Sequence, residues 1–126
     1  DVAPSRGLGD VYKEGKKHFT ISEVRQVQQA ILYVRSGEVK VDEVLRNIQP
    51  IIENTEQMHT LCTFLLDADA DYQKCGEYLF IHKNTVKYRI KRINELLGCD
   101  VTRISDSYEY SITCLVYRIV RRSNLL

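Results

Sequence analysis

One segment, Lys83–Leu97, constrains this chain more than any other. At 100° per residue, Val86, Ile90, Ile93 and Leu97 fall on one narrow stripe. Asn84, Tyr88, Lys91, Arg92 and Glu95 lie opposite, with Thr85 and Lys87 on the flanks. Only an α-helix sorts these residues into an oily face and a hydrogen-bonding face. Between Tyr78 and Asn94 the chain carries Lys83, Lys87, Arg89, Lys91 and Arg92 and no acid. A helix built only for solubility interleaves Glu with Lys at i,i+4. Unrelieved repulsion along one face is tolerated more readily where a polyanion lies alongside.

The total charge hides this. The net charge is +1, and Asp67, Asp69 and Asp71 cluster just upstream of the basic run. The distribution, rather than the sum, therefore points to nucleic acid. Hydrophobic residues make up 44% and charged residues 28% of the 126 positions, enough apolar material for one core. No apolar run is long enough to cross a membrane. The chain begins at Asp1 and its sole methionine is Met58, so it reads as a piece of a longer protein whose upstream part is missing.

The neighbours of the basic helix follow from local signals. Asp71 suits the N-cap of a short helix through Leu79, and Phe80, Ile81 and His82 form a tight turn. Gly98 stops the basic helix. The small pair Cys75-Gly76 lets the two helices cross closely. A short helix, a tight turn and a longer basic helix describe a helix-turn-helix.

Upstream, Thr20-Ile21-Ser22-Glu23 fits a capping box for a helix over 21–35, ended by Ser36-Gly37. Its apolar positions are Val24, Val27, Ile31 and Val34. Residues 1–18 read as loop or frayed tail. Val41, Val44, Leu45 and Ile48 give a short amphipathic helix broken by Pro50. Another helix spans about Glu56 to Leu66, with Leu61, Phe64 and Leu65 inward. The stretch from Asp67 to Asp71 reads as a polar connector. Asp106 and Glu109 fit a second capping box, opening a last helix to about Arg121 with Ile112, Leu115, Val116, Ile119 and Val120 apolar. No β-alternation is long enough for a sheet. The expected fold is all-α, a small helical bundle containing a helix-turn-helix.

The residues Leu79, His82, Asn84-Thr85, Tyr88-Arg89, Ile93 and Leu97-Gly98 stand at a spacing that resembles the C-terminal helix-turn-helix of the PucR/CdaR family. Those are bacterial regulators of purine, sugar-diacid and related catabolism. Thr60-Leu61-x-x-Phe64-Leu65 resembles a further helix of that family, and the likeness covers about residues 48–122. The turn is similar to that of the Fis-type motif. The chain departs from the family at Cys75-Gly76, where the family usually has Ala-Ala. Gly76 costs about 1 kcal/mol of helix propensity against Ala. Residues 1–40 faintly resemble the end of an upstream sensory domain, and 41–126 then form the DNA-binding domain. The resemblance implies a bacterial, cytoplasmic regulator acting as a homodimer on double-stranded DNA, with effector binding in the missing upstream region.

Each candidate contact has a structural alternative. Lys83, Asn84 and Thr85 occupy the first turn, where Asn pairs with adenine and Thr meets a phosphate or a thymine methyl; both also cap helices. Lys87 and Lys91 suit phosphate or guanine, or simply a solvated face, and Arg92 is a further DNA-binding candidate on the same side. Tyr88 reaches a phosphate through its hydroxyl or covers the core rim. Arg89 lies near the apolar stripe, so tying the helix to a carboxylate is as good a reading as DNA contact. His82 is a cap or a phosphate donor. In the Fis-like pose Gln73 faces the DNA backbone.

The rival reading is a protein-interaction module whose basic face docks an acidic partner. An exposed apolar patch on the last helix, around Tyr117, Val120 and Leu125-Leu126, would serve that reading or dimerisation. An RNA reader lacks its stacking platform. An enzyme is least expected, because no glycine-rich phosphate loop, nucleophile motif or carboxylate pair stands out. His59, Cys62 and Cys75 match no zinc spacing, so no metal or cofactor is expected. Cys62, Cys75, Cys99 and Cys114 read as reduced core residues.

Overall fold

The computed structural model describes residues 40–122, together with Gln28, Leu32, Ser36 and Gly37. All regular structure among them is helical, as the sequence pattern predicts. The tail 1–18 lies outside the described residues. So does the helix over 21–35, except that Gln28 and Leu32 are helical. Gly37 takes a left-handed φ of 77°.

Helix α1 (Val41–Leu45) tightens into a 3-10 turn at Arg46–Ile48. Pro50 lacks the amide that would extend it, and Ile51 and Asn54 instead donate to the carbonyls of Ile48 and Ile51. Leu45, Ile48 and Ile51 are buried. Helix α2 (Thr55–Cys62) starts at Asn54, whose Oδ1 accepts from the Gln57 amide at 2.9 Å.

Beyond Cys62 the helix widens into a π-helical turn at Thr63–Asp67, closed by the Ala68 amide on the Thr63 carbonyl at 2.9 Å. Every residue from 60 to 68 is buried. Nine consecutive buried residues face all round the helix axis, so this segment is enclosed by its neighbours on every side. Asp67 therefore does not belong to a polar connector. It is buried and paired with Arg118. The chain reverses through Asp69 and Ala70, with φ of 52° and 58°.

Helix α3 (Tyr72–Leu79) is capped by Asp71, whose Oδ1 accepts from the Lys74 amide at 2.9 Å. Helix α4 (Lys83–Leu97) ends at Gly98, φ 71°. The boundaries of α3 and α4 match the local signals, because caps and left-handed residues act within a few positions. Val86, Ile90 and Ile93 are buried, and Leu97 is half-buried.

Helix α5 (Ile104–Arg122) begins two residues before Asp106. Asp106 is therefore no capping residue: it sits in the first turn and accepts weakly from the Asp100 amide at 3.4 Å. The loop before α5 is organised from α4 instead. Asn94 Oδ1 accepts from the Val101 amide at 3.0 Å, and Asp100 Oδ1 accepts from the Thr102 amide and hydroxyl at 3.0 and 2.6 Å. Those bonds from Thr102 hold the Asp100 carboxyl below its usual range.

The core lies between α5, the π-helical turn and α1 on one side and the α2–α4 layer on the other. Leu115, Val116, Ile119 and Val120 join it, whereas Ile112 stays partly exposed. Tyr117 and Val120 are also buried, so neither belongs to an exposed patch; Leu125-Leu126 lies outside the described residues. The apolar side chains that α5 does expose are Ile104 (92%), Tyr108 (66%) and Ile112 (38%), one per turn. All four cysteines are free: Cys62, Cys75 and Cys114 buried, Cys99 half-buried.

Candidate nucleic-acid interface

The α3–α4 crossing begins with Gly76. Its carbonyl accepts the Ile81 amide at 3.0 Å, and a Cβ at this position would stand 2.6 Å from the Ile81 carbonyl oxygen. The turn backbone thus rests directly on the helix before it. Phe80 makes the reversal with φ 59°, a left-handed conformation that a side chain with a Cβ resists. His82 then caps α4, its Nδ1 accepting from the Asn84 amide at 3.0 Å.

With Val86, Ile90 and Ile93 anchored inside, the opposite face of α4 is fixed. His82, Lys83, Asn84, Thr85, Lys87, Tyr88, Lys91 and Arg92 are all exposed. Tyr88 stands 71% exposed, so it covers no core rim. Among the described residues, the side chains of Lys83, Asn84, Thr85, Tyr88 and Lys91 make no hydrogen bond or ion pair. Arg92 lies 3.4 Å from Glu95 in an exposed i,i+3 pair that contributes little.

Two cations are tied down on opposite flanks. Lys87 Nζ sits 5.5 Å from the centre of the Tyr72 ring, which packs on Phe64 with centroids 5.0 Å apart. Arg89 leans towards α2. Its guanidinium lies 3.3 Å from Glu56 Oε2 and 3.4 Å from Thr60 Oγ1. Gln73 is exposed on α3, where it meets Glu77 at 3.4 Å. Sequence reasoning offered a carboxylate tie for Arg89, without naming Glu56, and missed the Lys87–Tyr72 contact. No sequence signal singles out Tyr72, and Glu56 enters only as the approximate start of a helix.

Behind α4, burial pushes the Cys75 thiol up to about 12, with Asp67 adding to the shift, so it stays protonated. Among the described residues, no cluster of three His, Cys, Asp or Glu side chains is placed to hold a metal ion. No helix of the described residues is long and apolar enough to cross a membrane.

The exposed, donor-rich face of α4 and the short helix braced across it have counterparts in known sequences. Residues 57–116 match the family model of the PucR C-terminal helix-turn-helix domain. An uncharacterized protein of Mycobacterium bovis is 39% identical over 51 residues, which is 40% of this chain and 12% of that protein. Uncharacterized proteins of two Mycobacterium tuberculosis strains, CDC 1551 and H37Rv, are similar to the same extent. The chain therefore matches only a small part of these relatives' length. No solved structure matches it. The match and the α3–turn–α4 geometry agree: residues 57–116 are a PucR-family C-terminal helix-turn-helix domain.

Proposed function

We propose that this chain is the DNA-binding end of a transcription regulator and that α4 enters the major groove of double-stranded DNA. One observation carries the reading: from the cap His82 to Arg92, the α4 segment and its cap present eight exposed donors or aromatic groups and no acid. In a helix-turn-helix the second helix lays its N-terminal side chains against base edges. Lys83, Asn84, Thr85 and Tyr88 take that place. Lys87, Lys91, Arg92, His82 and Gln73 then meet phosphates, which fix register without reading sequence.

In this proposal residues 41–126 form the DNA-binding domain and 1–40 the end of a sensory domain, with the effector bound further upstream. The regulator is bacterial and cytoplasmic. It acts as a homodimer, because one such helix reads only a few base pairs. The exposed turn-by-turn stripe Ile104–Tyr108–Ile112 supports a second copy docking on α5, and it equally fits the protein-interaction reading.

The test is duplex binding titrated across salt, for the wild type and for Lys87→Ala/Lys91→Ala. Each phosphate contact contributes about −0.9 to the slope of log affinity against log salt. A steep slope, shallower by roughly two units in the variant, supports the reading. Equal slopes, or no binding at low salt, refute it and leave the docking module.

A further inference from the structure

Arg89 belongs to the basic run by sequence but not by position. Counted at 100° per residue, it lies roughly 70° from the core stripe and on the side away from Lys87. Its side chain is 24% exposed, against 67% for Glu56. Thr60, its second partner, is buried, and the Thr60 hydroxyl donates to the Glu56 carbonyl at 2.9 Å. One guanidinium therefore spans two residues a single turn apart on α2, and one of them is locked to the backbone of that helix.

We infer that Arg89 is a positioning residue, which sets the tilt of α4 on α2 through Glu56 and Thr60 and makes no contact with nucleic acid. This rests on the proposed DNA-reading role of α4. A partly solvated pair contributes little to stability, so its effect lies elsewhere. The planar fork of Arg fixes both distance and direction, which an ammonium does not. With Lys87 held over Tyr72 on the other flank, α4 is braced from both sides against rotation about its own axis. Small rotations would carry Asn84 and Tyr88 off the base edges while leaving the phosphate contacts within reach. The pair therefore governs discrimination between sequences more than affinity as such.

The experiment uses the full chain, with a duplex selected by the wild type from a randomised pool and a scrambled duplex of equal length. Glu56→Gln separates the alternatives by sign. If Arg89 touched DNA, removing a nearby acid would release the cation and tighten binding to both duplexes. If Arg89 positions α4, Glu56→Gln lowers the preference for the selected duplex about ten-fold, as loss of a single oriented contact does. The slope of log affinity against log salt on the scrambled duplex then stays unchanged. Arg89→Lys keeps the charge and shows the same loss. Circular dichroism confirms that each variant folds, and Glu56→Gln, altering an exposed side chain, remains informative if Arg89→Lys does not fold.

Tighter or unchanged discrimination in Glu56→Gln overturns the inference while leaving DNA reading intact. Failure of the wild type to bind any duplex overturns the DNA-reading proposal, and the inference falls with it.

Discussion

Asp67 and Arg118 meet in a two-point ion pair, at 2.7 and 3.1 Å, with the Asp67 side chain fully enclosed. The pair joins the π-helical turn to α5, where the core is deepest. The enclosed Asp67 carboxylate is matched by both guanidinium nitrogens of Arg118. Asp67→Ala removes both of these bonds from a guanidinium at 13% exposure and should lower stability by about 3 kcal/mol. Urea denaturation measures this; a loss below about 1 kcal/mol would show that solvent reaches the pair.

Gly76 gives the opposite sign to its propensity. On a free helix, Gly→Ala gains about 1 kcal/mol. Here the new methyl would press on the Ile81 carbonyl oxygen at 2.6 Å, and that atom is backbone, held in a tight turn. Gly76→Ala should therefore destabilise the domain by about 1–3 kcal/mol. A raised melting temperature would mean that the turn shifts freely.

Thiol reactivity should sort by burial. Cys62, Cys75 and Cys114 are enclosed, and the hydrogen bond between Cys114 and Cys62, with burial, holds the Cys114 thiol well above its ordinary range. Burial also raises Cys99, although its hydrogen bond with Tyr110 acts against the shift, and it alone is half-buried. Iodoacetamide near neutral pH should label Cys99 first and slowly, and the rate should rise with pH as thiolate forms. Peptide mapping after a timed quench reports the order. Early labelling of Cys75 would contradict the packing behind α4.

Two substitutions on one helix should fail differently. Asn84→Ala, in the first turn, should relax base preference by about 1–3 kcal/mol at a single position. Lys91→Ala should weaken all duplexes alike and flatten the salt dependence by about one unit. Selection from a randomised duplex pool, run on each variant, separates the two. Identical behaviour would show that α4 lies along the backbone rather than in the groove.

Association should depend on the α5 stripe. Ile104→Asp/Tyr108→Asp alters exposed side chains, so folding should survive while self-association is lost. Sedimentation velocity decides it. A wild type that stays monomeric at high concentration removes homodimerisation through this face.

What the sequence disclosed was local. Asp71, Gly98 and the apolar stripe of α4 act within a turn or two, so α3 and α4 were legible to the residue. The start of α5 was not. Asp106 and Glu109 have capping spacing, but the loop is set by Asn94 and Asp100, which catch it from behind. The role of Asp67 depends on Arg118, 51 residues later, and that of Arg89 on Glu56, 33 residues earlier. Nothing in the intervening chain signals either pairing. Burial all round the 60–68 run was hidden too, because it comes from helices packed on every side and not from a pattern within the run.

The division of α4 has an evolutionary consequence. The residues that fasten it are Val86, Ile90, Ile93, Lys87 and Arg89; the outermost ones, Lys83, Asn84, Tyr88 and Lys91, hold nothing together among the described residues. Drift at those four sites meets no resistance from the fold. A gene copy can thus be retargeted one side chain at a time, each intermediate still folded and open to selection.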